Sequence, residues 1–236
     1  MTTQEVIAEI KKAGNPQTKK TWMAHGAKEP FYGVKIEDLK KIQKKVKENK
    51  QQVALELFDS GISDAQYLAG LMADGSQMTA KQLLGWAESA NYAMISEYSV
   101  PWVAHENEKA FDIGLKWIDS KKPNVASSGW NTLASVVATR PDEELDIAAL
   151  KKLLSRIEKE IDKAPNRVKY CMNGFVISVG SYVKELTALA TATGKKIGNV
   201  EVDMHGTYCK VPFAPDYIKK VIDKGYHGKK KKTVKC

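Results

Sequence analysis

The segment PFYGVKIEDLKKIQKKVK, residues 30–47, decides the fold class. Ile36, Leu39, Ile42 and Val46 recur at steps of three and four, the spacing that stacks side chains on one side of an α-helix. Lys40, Lys41, Lys44, Lys45 and Lys47 crowd the remaining surface, so the segment reads as a helix with an apolar stripe and a cationic exterior. Similar signals recur on both sides of it. Upstream, Asn15-Pro16 reads as an N-cap with proline at the first helical position, opening a helix through Trp22 and Met23. Downstream, Gln51–Phe58 is a short helix stopped near Gly61, and Ser63/Gln66 and Thr79/Gln82 have capping-box spacing. Asn107 is a candidate cap for a helix on Phe111, Leu115 and Ile118. Asp142–Ile161 reads as a long amphipathic helix, and Asn166 opens an apolar one through Val183. Strand-like alternation is confined to Val200-Glu201-Val202. The chain is therefore expected to be all-α, with about a dozen helices joined by short links. These fit either a compact bundle or an α-solenoid of stacked helical hairpins, and no repeating motif chooses between them.

Composition narrows the function classes. With 236 residues, 43% apolar and 28% charged, the chain can bury a sizeable core. No apolar run approaches a membrane span, and the N-terminus lacks a signal-peptide core. Three widely spaced cysteines, Cys171, Cys209 and Cys236, suggest reduced thiols and a cytoplasmic location. The net charge of +9 is unevenly spread: residues 1–50 carry +6, 51–150 carry −8, and 151–236 carry +11. Two basic flanks around an acidic middle suit a polyanion gripped at both ends, and phosphate backbones are the commonest such partner. From Gly194 the sequence turns polar and is broken by Gly198, Gly206, Pro212 and Pro215. The expected organisation is a helical-repeat region over 1–193, an extension with one short helix over 194–224, and a basic tail over 225–236. No Walker loop, GxGxxG, HExxH or GxSxG occurs. His205, Cys209, His227 and Cys236 fit no zinc spacing, so neither metal nor small-molecule cofactor is expected.

The segment 30–47 also resembles the signature of the DNA alkylation repair family, the HEAT-like-repeat DNA glycosylases. A second likeness is WAESANYAMISEYSVPWVA, Trp86–Ala104, and weaker ones are SSGWNTLASVV and YCMNGFVISVGSYV. The resemblance runs in order through most of residues 1–190. It implies an α-solenoid of HEAT-like hairpins whose basic concave face holds double-stranded DNA, alkylated or distorted, and a monomer. The family's glycosylases place an aspartate, tryptophans and an arginine around the damaged nucleotide. Anchored on Val100-Pro101, the resemblance puts Glu97 at the aspartate, Ala93 at one tryptophan and Phe175 at another, with no counterpart for the arginine.

Glu97 is thus the catalytic candidate. Cleavage of a cationic N3- or N7-alkylpurine builds oxocarbenium character on the sugar, which a nearby carboxylate can stabilise. Trp130, flanked by Ser127, Ser128 and Gly129, and the aromatics Tyr98 and Phe175 are candidate faces for a cationic base or an exposed nucleotide. Arg167 and Lys169 begin an apolar helix where cations and N–H groups can meet a phosphate. Lys40 and Lys44, with Lys229, Lys230, Lys231 and Lys232 of a flexible tail, are candidate phosphate contacts. Two other functions fit the same fold: a noncatalytic binder of bent, branched or damaged DNA, and a protein-interaction scaffold.

Overall fold

The computed structural model describes residues 1–207 and 209–236, and among these the only regular structure is helical. The chain folds into two units. The first holds α1 (Thr3–Lys12), α2 (Pro16–Ala24), α3 (Ile36–Lys45), α4 (Lys50–Asp59), α5 (Ser63–Met72), α6 (Ala80–Ser89) and α7 (Val100–Ala104). Met204–Thr207 and Lys235–Cys236 pack with it. The second holds α8 (Ala110–Trp117), α9 (Pro123–Thr139), α10 (Ile147–Glu160), α11 (Asn166–Tyr182), α12 (Thr187–Ile197) and α13 (Ala214–Asp223). Its chain continues to Val234. Within each unit a helix packs on its sequence neighbour, as in α4–α5, α8–α9 and α11–α12. It also packs on the helix after that, as in α3–α5, α9–α11 and α10–α12. Contacts that stay this local are the mark of stacked hairpins.

Most helix starts follow from the local chemistry. Asn15 Oδ1 accepts from the Thr18 N–H at 2.9 Å with Pro16 first in α2. Thr79 and Gln82 close the expected capping box on α6. Other expectations are corrected. Ser63 is the first residue of α5 rather than its cap, and its hydroxyl accepts from Asn91 Nδ2 at 2.7 Å. Asn107 is buried; its amide donates to the Met78 and Gly75 carbonyls, fastening the turn before α6 as well as the start of α8. The long helix expected from Asp142 begins at Ile147, because Asp146 accepts from the Ala149 N–H at 2.9 Å and so starts the helix there. Val200–Val202 forms no strand, since three alternating residues without a partner strand have nothing to pair with. The Asn166 side chain instead bonds the backbone of Asp203 in both directions, at 2.7 and 2.9 Å.

The cores are aromatic and aliphatic. In the first unit Phe58 and Trp86 stack with ring centres 3.9 Å apart. In the second, Trp130, Leu133, Leu154, Phe175 and Val179 are buried together. Trp22, Trp86 and Trp117 are buried, as is Cys171, and the three cysteines are not joined in disulfides.

Candidate nucleic-acid interface

The segment 30–47 has a structural task before any functional one. Asp64, near the start of α5 and buried, accepts from the Tyr32 N–H at 2.6 Å and the Val34 N–H at 2.7 Å. Ser63 N–H in turn donates to the Pro30 carbonyl at 3.1 Å. This clamp holds Phe31 and Val34 inward, where Phe31 lies parallel to Trp22 at 6.3 Å. Gly33, at φ +75°, is required in the clamp, since a Cβ there would lie 2.4 Å from the Lys19 nitrogen. Burial pushes the Asp64 carboxyl above its ordinary range, and the N–H groups of Tyr32, Val34 and Gly33 pull against that rise. Lys40 and Lys44 lie on α3, which follows the clamp; Lys40 is half-buried and Lys44 exposed.

Glu97 sits on a π-turn, Ile95–Ser99, directly before α7. The widened turn has a local cause. Pro101 has no N–H, and in an α-helix its ring would press on the carbonyl four residues back, that of Glu97. The chain opens instead, and the Val100 N–H reaches the Ile95 carbonyl five residues away. The turn packs on α5 so closely that a Cβ on Gly70 would lie 2.6 Å from that of Ser99. Glu97 is 2% exposed and Tyr98 40% exposed, so adjacent residues of one turn face the interior and the solvent. Tyr98 meets Trp102 edge-on at 6.1 Å, and Trp102 meets Tyr67 at 5.4 Å.

Two expected aromatic faces are absent from the surface. Trp130 on α9 and Phe175 on α11 are buried, packed edge to face at 5.4 Å. The small residues around Trp130 admit the end of α8: a Cβ on Gly129 would lie 2.8 Å from the Trp117 Cβ. Neither ring can stack on a nucleotide in this conformation, and both readings are corrected to core packing. Arg167 lies over the Tyr170 ring at 4.5 Å, and Lys169 is half-buried one turn into α11.

The lysine tail is docked rather than flexible. The Lys230 ammonium donates to the Val137 carbonyl at 2.9 Å and pairs with Asp142 at 2.7 Å, while the Lys231 N–H donates to the Ala138 carbonyl at 2.8 Å. Val137 and Ala138 belong to the last turn of α9, whose carbonyls have no partner within the helix. A lysine there also meets the negative end of the helix dipole. Lys230 is therefore a helix cap, which corrects its reading as a phosphate contact. Lys231 reaches over Tyr182 at 5.4 Å and Lys229 over Tyr226 at 5.9 Å, both exposed, as is Lys232. Lys235, in the first unit, is held by Glu106 at 2.8 Å.

The profile of the DNA alkylation repair enzyme family matches residues 6–196. The chain belongs to that family. The uncharacterized protein Lin0241 of Listeria innocua is 31% identical over 225 residues, covering 93% of this chain and 97% of that protein. Lmo0209 of Listeria monocytogenes is 30% identical with the same coverage. A solved structure, described as a new family of proteins related to the HEAT-like repeat DNA glycosylases with affinity for branched DNA structures, superposes with a TM-score of 0.91. It is 32% identical, and the match covers the whole of both chains. The fold is thus the all-α, HEAT-like solenoid. The extension after Gly194, largely beyond the family profile, is matched in that structure. Among the described residues, no helix is long and apolar enough to cross a membrane.

Sequence reasoning did not single out Asp64 or the exposed Tyr217 and Tyr226. Nothing in the linear sequence ties Asp64 to a loop thirty residues earlier. Tyr217 could have been found, because it lies four residues from Val221 on a lysine-rich helix.

Proposed function

We propose that this protein is a DNA-binding member of the alkylation repair family that recognises branched or otherwise distorted DNA without excising bases. The observation that carries this reading is the fate of the aromatic residues. A glycosylase of this kind needs exposed rings around the lesion, yet Trp130 and Phe175 are buried against each other and Ala93 offers no ring. What remains is a fold shared with a protein described as binding branched DNA, and basic flanks of +6 and +11 suited to phosphates. Lys40 and Lys44 on α3, Arg167 and Lys169 on α11, the exposed lysines Lys229, Lys231 and Lys232, and Tyr98 beside Glu97 are the proposed DNA contacts. The test is a binding titration of a four-way junction against a blunt duplex of the same sequence at several salt concentrations. The junction should bind more tightly, and log affinity should fall with log salt at about 0.9 per phosphate neutralised. Equal affinity for both forms, or release of 7-methylguanine from alkylated duplex, would overturn the reading.

One observation favours excision instead. Glu97 is buried on a π-turn, a distortion frequent at functional sites, and the resemblance puts it at the glycosylases' aspartate. In that reading Glu97 is the catalytic residue that stabilises the sugar cation.

A further inference from the structure

The large aromatic side chains of the cores are buried, but Tyr217 and Tyr226 are 45% and 58% exposed. Local structure brings them onto one strip. Tyr217 and Val221 lie one turn apart on α13, and Ile218 between them turns inward against Gly180 of α11. The helix ends at Asp223, and Gly225 just beyond it, with a φ of +72°, allows the chain to turn back. The Tyr226 N–H donates to the Val221 carbonyl at 3.1 Å and the Gly225 N–H to that of Ile222 at 2.8 Å. This paired closure brings the residue after the glycine beside the helix residue five before it, so Tyr226 follows Val221 on the strip. Each tyrosine carries its own cation: the Lys220 ammonium lies 5.9 Å from the Tyr217 ring centre, and Lys229 5.9 Å from that of Tyr226. From Ala214 to Lys229 there are four lysines against two aspartates, and one aspartate, Asp223, is paired with Lys219 at 2.7 Å.

We propose that Tyr217, Val221 and Tyr226, with Lys220, Lys224 and Lys229, form a stacking platform for unpaired nucleotides of a single-stranded DNA segment. Flat, solvated rings suit base faces of any sequence, and the cations beside them suit the phosphates between those bases. The platform deepens the DNA-binding reading by naming the part of a branched substrate that this helix takes, the frayed or single-stranded arm.

The experiment measures fluorescence anisotropy of a labelled thymidine oligonucleotide, a fork with a single-stranded arm, a four-way junction and a blunt duplex. It compares the full chain with the double variants Tyr217→Ala/Tyr226→Ala and Tyr217→Phe/Tyr226→Phe. Stacking on two rings predicts that the alanine pair weakens oligonucleotide binding at least about 30-fold, that phenylalanine retains it, and that blunt duplex is unaffected. Both tyrosines are exposed, so unfolding does not confound the result; thermal melts of the variants should match wild type. Oligonucleotide binding equal in wild type and the alanine pair overturns the platform, as does failure of wild type to bind the oligonucleotide. Dimerisation of wild type in sedimentation that the alanine pair abolishes overturns it too, assigning the strip to a second copy. Fork binding that survives the alanine pair unchanged, with the junction still preferred over blunt duplex, sinks the platform and leaves the branched-DNA reading standing. Tyrosine-dependent oligonucleotide binding without junction preference does the reverse.

Discussion

Replacing Asp64 by alanine should unfold the first unit more easily while leaving DNA recognition by the folded protein intact. Two backbone donors, the N–H groups of Tyr32 and Val34, lose their acceptor in a site where Asp64 itself is fully buried. A buried donor left without a partner costs about 1–3 kcal/mol, so two cost roughly 2–6 kcal/mol. Against this, deleting the side chain removes a carboxylate that burial already disfavours as an anion. The net loss is placed in the lower half of that range, about 2–4 kcal/mol, or a fall in melting temperature of about 5–15 °C. The pH dependence has a definite sign. Because the folded carboxyl titrates above its unfolded value, folding holds the proton more tightly. The group's contribution to stability therefore declines as pH rises from the ordinary carboxylate range through the raised value, and is level above it. Asp64→Asn should abolish that slope while retaining one of the two acceptors, giving an intermediate loss. Circular dichroism melts and urea titrations from pH 3.5 to 8 measure both quantities. A control, Asp38→Ala, removes a solvent-exposed pair with Lys41 and should change stability by less than about 0.5 kcal/mol. Wild-type stability in Asp64→Ala would refute the clamp.

Two further outcomes follow from the other corrected or retained residues. If the protein excises alkylated bases at all, Glu97→Gln should slow single-turnover release of 7-methylguanine by a factor on the order of 10² to 10³ with little change in DNA affinity; equal rates would remove Glu97 from the chemistry. Lys230→Ala should destabilise the second unit by about 1–2 kcal/mol in urea titration, through loss of its bonds to Val137 and Asp142, and leave the salt slope of DNA binding unchanged; a slope shallower by one or more would restore Lys230 as a phosphate contact.

The helices were legible because their determinants are local. A stripe at Ile36, Leu39 and Ile42, an Asn15-Pro16 start and a Thr79/Gln82 box each act within a few residues, and each predicts what forms. The errors lie where a side chain serves a distant partner. Ser63 has the right chemistry for a cap but spends it on Asn91, and the Asn107 amide also reaches Met78 and Gly75, thirty residues away. The candidate site was legible only in part, for a related reason. Glycine and serine beside Trp130 indicate close approach, but not whether a ligand or another helix makes it. A run of lysines likewise has the same appearance whether it reaches phosphate or the carbonyls that end α9.

The residues that carry the family signature and those that would carry its chemistry are therefore different sets, and one can change while the other stays. Phe31, Val34 and Asp64 lock the entry to α3, and Pro101 forces the π-turn that buries Glu97. Phe175 packs edge to face with Trp130 in the core at 5.4 Å. None of these tasks requires a ring open to solvent or an arginine beside it. The fold can thus keep its basic flanks and a buried Glu97 without an exposed aromatic cage. Binding to a polyanion would survive such a change, because it draws on many weak charge contacts rather than on one ring. Excision would not, because it needs several groups held around one sugar at once. A chain of this family with Ala93 and Phe175 therefore meets the demands of phosphate binding more readily than those of base excision.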